Sequence, residues 1–401
     1  MVMKFETIQL KIFSNAEDGE LKKILESGEV IFQNDIVSHC LEELFDITHP
    51  QLKPDNSAYA KTKASFLKSW SNKKKKEDIG VWVYYSWSKS LIHFPPEDMY
   101  IALRTSRNRN LITPEEQKIF QNKCVGIAGM SVGSNILNTL VLIGGPRHLK
   151  IADLDSISVP NLNRLMAPVS AVGVNKGVYF ARRCLEVDPF LKIDVYSKGL
   201  GVGNFKSFFE EPKLDLFIEE MDNPYLKIES RKVARNLGIP VIMAADNGDG
   251  ALIDVERFDL EPDRPLFHGR FNGVMDLDAI KEELTFPERL TLIANIVHLE
   301  EATPRAQDSL GQVGTILNTW PQLGTAALTC GVALSFIARQ ILLGQPMPSG
   351  RSRLGLEENL IVGYNSRKKM QQRQRHTKKI MEQFEALRRS LIEKSRHNLV
   401  E

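Results

Sequence analysis

From Cys124 onward, short apolar segments alternate with segments of helical periodicity, and this alternation limits the possible folds more than any other feature. Strands are predicted at Cys124–Ala128, Leu149–Ala152, Ile193–Tyr196, Leu214–Ile218 and Pro240–Ala245. Helices are predicted at Gly133–Ile143, Lys176–Cys184 and Tyr225–Asn236. This succession is typical of an α/β fold with a doubly wound, mainly parallel sheet and helices on both faces. Ligands of such sheets bind at the carboxyl ends of the strands.

The chain has 401 residues, which predicts more than one domain. We divide it into a smaller α+β N-terminal domain (1–110), the α/β domain (111–345), and a linker with a polar amphipathic helix (346–401). The N-terminal part has a strand pattern in residues 5–13, a helix pattern at Asp35–Phe45, and apolar strands at Val81–Trp87 and Leu91–Phe94. Residues 262–320 are predicted to be either a partly mobile insertion or a substrate-facing segment. In the tail, Ile380, Phe384, Leu387 and Leu391 have helical spacing.

Charge and cysteine content exclude several classes of protein. The formal net charge of +2 gives no general attraction to nucleic acid or membrane. The four cysteines are far apart, with no CxxC pair, so we expect no zinc site and a reduced, cytoplasmic compartment. The segment Leu323–Ala338 is uncharged but short for a bilayer, so we predict a helix packed inside the core rather than a membrane span.

A glycine-rich turn follows the first strand of the α/β domain and opens its first helix. It contains Gly126, Gly129, Ser131 and Gly133. Glycines let a backbone approach a phosphate, and a helix N-terminus supplies N–H groups to it. The turn is not a clean GxGxxG pattern, and close packing alone also explains such glycines. Asp153 and Asp155 end the next strand, where a carboxylate can accept both hydroxyls of an adenosine ribose. A turn or helix-capping aspartate is the alternative for this pair.

Basic residues follow the aspartates, in the segments that contain Asn161, Arg164 and Lys176. NAD is bound chiefly by backbone groups and a helix dipole, so two such cations indicate a triphosphate whose charge must be neutralised. Asp222 ends another strand on the same edge, where a carboxylate could hold Mg²⁺ against the phosphates. Glu219 or Glu220 could serve instead.

Together these segments resemble the ThiF/MoeB/HesA family and its ubiquitin-activating relatives. The resemblance rests on the order of the glycine turn, Asp153-x-Asp155, Asn161-Leu-Asn-Arg164, Gly173-x-x-Lys176 and Met221-Asp222-Asn223, and it covers about residues 115–345. It implies a Rossmann-like fold, ATP as substrate, and a cytoplasmic adenylyltransferase that activates a carboxylate of a small carrier protein or precursor peptide with release of pyrophosphate.

The resemblance also assigns roles to individual positions. Asp153 would bind the ribose, Asn161, Arg164 and Lys176 would contact phosphates, and Asp222 would organise Mg²⁺. The family presents an arginine before the first strand, commonly donated across a homodimer to the partner's ATP. Arg107 is the preferred residue for that role here, and Arg109 fits nearly as well.

The sequence departs from the family at a few points. Ala128 and Met130 occupy positions in the turn where relatives usually carry glycine, the paired CxxC zinc site is absent, and no cysteine is an obvious thioester former. Cys184 and Cys330 lie in predicted helices and read as core residues. The N-terminal domain is a possible substrate clamp. Two alternatives remain: a non-catalytic scaffold that binds a peptide or protein, and an NAD-dependent oxidoreductase.

Overall fold

The computed structural model describes residues 6–8, 10–72 and 75–397. The strands of this part of the chain are β1 Glu6–Thr7, β2 Lys11–Phe13, β3 Phe32–Asp35, β4 Val81–Tyr85, β5 Ser90–Phe94, β6 Cys124–Ala128, β7 His148–Ala152, β8 Lys192–Tyr196, β9 Leu216–Glu219, β10 Val241–Asn247, β11 Gly250–Glu256 and β12 Gly350–Leu354. The α-helices are α1 Gly19–Glu26, α2 Val37–Thr48, α3 Tyr59–Ser71, α4 Glu97–Arg104, α5 Pro114–Gln121, α6 Val132–Leu142, α7 Lys176–Val187, α8 Phe205–Phe209, α9 Pro224–Leu237, α10 Phe286–Val297, α11 Pro304–Ser309, α12 Gly324–Leu342, α13 Leu356–Leu360 and α14 Arg367–His397.

The larger sheet has eight strands in the order β1-β8-β7-β6-β9-β10-β11-β12. The five central strands, β8 to β10 in that order, are parallel to one another. Strands β1, β11 and β12 pair antiparallel at the two edges. Helices α6, α7 and α12 cover one face, and α8 and α9 cover the other. The prediction of a Rossmann-like, doubly wound and mainly parallel sheet is therefore confirmed.

Helix α12 is the uncharged segment that the sequence analysis assigned to the core. By its length and composition this helix could cross a membrane. However, 61% of its apolar 18-residue stretch is buried inside the protein. Small residues allow it to lie close to α6: a Cβ atom on Gly331 would come within 2.8 Å of the Asn135 Cβ. Close approach of this kind is typical of two packed helices with a small residue at the contact.

The N-terminal part forms a second sheet in the order β2-β4-β5-β3. It docks on the C-terminal end of α7, where the Tyr85 hydroxyl donates to the Leu185 carbonyl (3.2 Å) and the Tyr100 hydroxyl to the Val187 carbonyl (2.6 Å). Helix α7 begins at Lys176 and has 12 residues, so its two ends are about 18 Å apart. The small sheet therefore contacts the end of α7 that is opposite Lys176. The clamp role of the N-terminal domain stays a prediction.

The structure differs from the predicted elements at several places. The strand pattern of residues 5–13 is divided between β1 in the large sheet and β2 in the small one, and residues 5 and 9 lie outside the described residues. Asp35 pairs in β3, so the predicted helix begins at Val37. The predicted break at Met347–Arg353 contains β12, which pairs with β11. In the tail, Phe384 is buried against α10, whereas the side chains of Leu387 and Leu391 are outside the described part.

Candidate functional site

The reversal of strand order places a crevice at the carboxyl ends of β6 and β9. From β6 the chain continues to β7 and β8 on one side, and then returns to β9 and β10 on the other. In open α/β sheets such a switch point is the usual ligand site. Gly129 follows β6, Asp153 follows β7 and Asp222 follows β9. The structure thus brings these three predicted residues to one edge of the sheet.

Gly129 lies where three strands come together, and its position admits no side chain. Its φ is +94°, and its N–H donates to the Ala152 carbonyl at 2.8 Å. A Cβ atom here would lie 2.2 Å from the carbonyl oxygen of Glu220. Close packing by itself therefore explains why this position is a glycine. A role of the turn in ligand binding must be argued from the residues next to Gly129.

The Met130 side chain turns away from the crevice. It is fully buried and lies against Gly133 in the first turn of α6. A Cβ atom added at Gly133 would be 3.2 Å from the Met130 Cε. Ala128 is also fully buried, in β6. These two departures from a glycine turn thus leave the crevice open. The first N–H groups of α6, which begins after Ser131, have no intrahelical acceptor and suit an anion.

Asp153 is held rigidly beside the turn. Its Oδ2 accepts the Met130 N–H at 2.6 Å, and its Oδ1 accepts the Asp155 N–H at 2.8 Å. Burial raises the pKa of Asp153, while the Lys176 ammonium and these two N–H groups act in the opposite direction. Each carboxylate oxygen keeps a further lone pair, which a hydroxyl donor at the crevice could use.

Lys176 begins α7 and reaches the same edge. Asn175 caps the helix, and its side-chain amide donates to the carbonyls of Asp153 (2.9 Å) and Ser197 (3.1 Å), which ties α7 to the ends of β7 and β8. The Lys176 Nζ lies 3.0 Å from the Asp155 Oδ2. The backbone N–H of Lys176 donates to the backbone carbonyl of Asp155 at 2.9 Å. The ammonium is thus largely buried but faces a carboxylate in contact with solvent.

Arg164 follows a 3₁₀ turn at Val159–Asn163 and reaches the glycine turn. Its Nε donates to the Ser131 Oγ at 2.9 Å. Burial lowers its pKa, and the carboxylates of Asp246 and Asp222 partly offset this effect. Because its hydrogen-bond partners are neutral, this guanidinium suits an anionic ligand. Asn161, by contrast, accepts the Ser158 N–H (3.1 Å) and shapes the turn.

Asp222 is the best placed of the three acidic residues considered for a metal ion. It is exposed, whereas Glu219 is fully buried and paired with Lys227 (3.1 Å) and Arg231. Burial alone would raise the pKa of Glu219, but these two cations outweigh it and the pKa is lowered. Glu220 accepts the Ala244 N–H at 2.9 Å, and burial raises its pKa well above the usual range. Neither glutamate is therefore a ready Mg²⁺ ligand.

In the part of the chain that the structure describes, no group of three or more His, Cys, Asp or Glu side chains could hold a metal ion. Mg²⁺ commonly binds to one or two carboxylates and to the phosphates of a substrate. A single exposed carboxylate at Asp222 is compatible with that mode and with no dedicated protein cage.

The structure does not bring Arg107 to the crevice of its own chain. It is exposed in a 3₁₀ turn at Ser106–Asn108, and the next residue, Asn108, donates to the Ile143 carbonyl at 3.0 Å. That contact lies at the C-terminal end of α6, whereas the phosphate-type turn lies at its N-terminal end. The 11 residues of α6 separate the two by about 16 Å. Arg109 is exposed in the same segment.

Two further residues lie at this edge that were not predicted from the sequence, Asp246 and Gln322. Asp246 lies near the end of β10, and the Gln322 Nε2 donates to its Oδ2 at 2.7 Å. The signal for Asp246 was available, because it directly follows the predicted strand Pro240–Ala245, as Asp222 follows its own strand. No comparable sequence pattern marks Gln322. It comes just after residues 262–320, which have no clear periodicity, and it does not follow a predicted strand.

The cysteines are buried. Burial raises the pKa of Cys184 to about 12, and it raises that of Cys330 well above the usual range. Both are 1% exposed or less, so neither presents a thiolate to a substrate in this conformation.

The ThiF family model matches residues 105–363. An uncharacterized protein of Mycobacterium tuberculosis is 36% identical to this chain over 285 residues, which are 71% of this chain and 39% of that protein. The chain thus spans about two-fifths of the length of this curated relative.

Two solved structures from E. coli show distant similarity. The tRNA N6-threonylcarbamoyladenosine dehydratase TcdA is 16% identical, with 61% of this chain and 95% of that chain covered and a TM-score of 0.43. MccB with ATP is 14% identical, with 79% of this chain and 87% of that chain covered and a TM-score of 0.42. At these levels neither similarity identifies a substrate.

Proposed function

This chain belongs to the ThiF family, and from that membership we propose that it is an ATP-dependent adenylyltransferase acting on a carboxylate. The proposed substrate is a carboxylate of a small carrier protein or precursor peptide. Because the chain spans only part of its curated relative, the proposed activity is that of the shared region and not of the longer protein.

In the proposed reaction, a carboxylate oxygen of the substrate attacks the α-phosphorus of ATP. A new phosphorus–oxygen bond forms, the bond between the α-phosphorus and the bridging oxygen to the β-phosphate breaks, and pyrophosphate leaves. The product is an acyl-adenylate. Negative charge increases on the phosphoryl oxygens during this step, so fixed cations and N–H donors stabilise the transition state more than the ground state.

The observation that carries the proposal is the position of Arg164 and Lys176. Both cations come from separate segments and converge on the edge that holds the glycine turn. Arg164 is hydrogen-bonded to neutral oxygens of Ser131 and Asn163, and Lys176 pairs with the exposed Asp155. Neither cation is hydrogen-bonded to a buried carboxylate, and this favours a ligand that carries several negative charges.

The other residues of the edge have supporting roles in the proposal. Asp153 accepts the ribose hydroxyls, the N–H groups at Ser131 and Gly133 approach the phosphates, and Asn161 shapes the turn that delivers Arg164. Mg²⁺, when bound, offsets phosphate charge and orients the leaving group, and Asp222 is the residue that would hold it. The proposed compartment is the cytoplasm, which agrees with four buried, unpaired cysteines.

We also propose that two copies form a dimer in which Arg107 acts on the partner's crevice. The support is an apolar stripe on α12, where Leu328, Val332 and Phe336 are 48%, 61% and 51% exposed at helical spacing. On the neighbouring helix α6, Leu142 is 65% exposed. Arg107 lies beside this end of α6, so a partner seated on the stripe would come close to it.

The test is pyrophosphate release and ATP–pyrophosphate exchange with candidate carrier proteins and peptides. Lys176→Ala and Asp222→Ala are each expected to slow the reaction by about a hundredfold or more. Lys192→Ala is the matched control, because Lys192 is exposed at the amino end of β8, and it should retain wild-type activity. Unchanged pyrophosphate release in the first two variants would contradict the assigned site.

Two measurements distinguish the two alternatives. A scaffold would release no pyrophosphate with any carboxylate. An NAD-dependent oxidoreductase would bind NAD in preference to ATP, which calorimetry measures. We expect saturable binding of ATP and no comparable binding of NAD.

A further inference from the structure

Gln322, which precedes α12, connects the end of β10 to Arg164. Its side-chain Nε2 donates to the Asp246 Oδ2 at 2.7 Å, and its backbone carbonyl accepts from the Asn163 Nδ2 at 2.8 Å. Asn163 in turn accepts from the Arg164 Nη1 at 2.9 Å through its Oδ1. We propose that Asp246, Gln322 and Asn163, the Arg164 relay, hold this guanidinium in place for the phosphates of ATP. This inference rests on the proposed function.

The hydrogen bonds around Arg164 leave one side of its guanidinium for a ligand. The Nε is committed to the Ser131 Oγ, and the Nη1 is committed to the Asn163 Oδ1 and the Pro160 carbonyl (3.3 Å). Within the described residues, Nη2 donates to no protein acceptor. A free arginine side chain has about 2 kcal/mol of rotamer entropy to lose. Holding the guanidinium before ATP arrives reduces that loss on binding.

The relay is anchored on rigid elements. Asp246 is in β10, and its Oδ1 lies 3.5 Å from the Cys330 Sγ in the buried part of α12. The start of α12 lies directly against the 3₁₀ turn, because a Cβ atom on Gly324 would come within 2.7 Å of the Asn163 carbonyl oxygen. Asp246 and Gln322 are 76 residues apart in sequence, so their contact depends on the packing of α12 on the sheet. We therefore regard Asp246 and Gln322 as positioning residues, since they act through Arg164.

The test compares the affinities for ATP and for adenosine in Asp246→Ala, Gln322→Ala and the double variant. Each single variant is expected to weaken ATP binding by about tenfold without changing adenosine binding, since only the phosphates meet Arg164. The double variant should be no weaker than either single one, because both changes break the same chain of contacts. Asp246→Asn keeps an oxygen for the Gln322 Nε2 and should restore most of the ATP affinity.

Asp249→Ala is the matched control, because this carboxylate is in the adjoining turn but bonds Thr325 instead of the relay. It should leave the ATP affinity unchanged. The relay is wrong if the two single effects multiply in the double variant, if adenosine affinity falls equally, or if Asp246→Asn is as weak as Asp246→Ala. If wild-type protein binds ATP and the variants behave as expected but no carboxylate supports pyrophosphate exchange, the proposed function fails and the relay stands.

Discussion

The Lys176 Nζ lies 3.0 Å from the Asp155 Oδ2, yet only 7% of the lysine side chain is exposed against 57% of the aspartate side chain. The cation is therefore fixed at the base of the crevice, while its partner can separate from it into solvent at little cost. A surface carboxylate in such a pair contributes little to stability. A phosphate oxygen could replace it.

We expect Lys176→Ala to lower kcat for ATP–pyrophosphate exchange by about a hundredfold or more, since a cation aimed at developing phosphoryl charge is lost. Asp155→Asn should change kcat by less than about fivefold, because the carboxylate only holds the ammonium before the nucleotide arrives. Steady-state kinetics with varied ATP separate the two residues. Equal losses in both variants would mean that the pair acts as one structural unit.

Gly129 and Gly173 provide a matched pair for the turn. Their φ values are +94° and +90°, but an added Cβ at Gly129 meets the Glu220 carbonyl at 2.2 Å, whereas nothing lies within 4 Å of one at Gly173. Both alanine variants lose stability through backbone strain of about 1 kcal/mol or more. Gly129→Ala should lose about 1–3 kcal/mol further because neighbouring backbone must move. Urea unfolding of both variants measures the difference, and equal midpoints would show that the close contact is relieved at no cost.

Features of the crevice that depend on local sequence were predictable, and those that depend on long-range packing were not. The strands and helices at the crevice follow from apolar periodicity, and Gly129, Asp153 and Lys176 occupy the strand ends and helix start that this pattern predicts. The Asp246–Gln322 contact could not be predicted in this way, because it depends on how α12 packs on the sheet. The direction of the Met130 side chain was also outside what the spacing of the turn could show.

The burial of charged residues between α9 and the sheet could not be predicted from the sequence either. Arg231 is fully buried between Glu219 and Glu256, and its guanidinium lies 4.3 Å from the centre of the Phe267 ring. A charged residue in an amphipathic helix normally reads as solvated, so periodicity alone assigns Arg231 to the surface. Its burial is possible only because carboxylates from β9 and β11, far apart in sequence, meet it.

Asp254 should make stability depend on acid pH. Burial alone would raise its pKa, but hydrogen bonding to His268 and the charges of Arg351 and Arg270 lower it to about 2. The folded-state pKa is thus below the unfolded value of about 3.9. The stabilisation is complete above about pH 5 and is lost as the pH falls through the folded-state pKa, by an amount on the order of 2 kcal/mol.

Asp254→Asn removes this titration. Its free energy of unfolding should be lower than that of the wild type at pH 6, and the difference should shrink as the pH approaches 2. Urea unfolding at a series of pH values measures it. Asp278→Asn, at an aspartate that is 85% exposed, should leave the pH dependence unchanged. A constant difference between wild type and Asp254→Asn across the series would show that the buried carboxylate is not the titrating group.

The dimer proposal predicts that Val332→Lys yields monomers in sedimentation velocity, because a charge is placed in the middle of the apolar stripe. Val202→Lys makes the same change at a valine that is 59% exposed in the 3₁₀ turn Val202–Asn204, away from α12, and should remain dimeric. Wild-type protein that sediments as a monomer at all concentrations would exclude this interface.

Mixing two inactive variants tests whether Arg107 acts across that dimer. If it does, a heterodimer of Arg107→Ala and Lys176→Ala has one complete site, formed by the Lys176 of one chain and the Arg107 of the other. A refolded equal mixture should then regain about a quarter of wild-type exchange activity, since half of the dimers are mixed and each has one working site of two. If Arg107 serves its own chain, both sites of the heterodimer lack a residue and the mixture stays inactive. Activity retained by Arg107→Ala alone would remove this arginine from the site, and Arg109→Ala is then the next variant to measure.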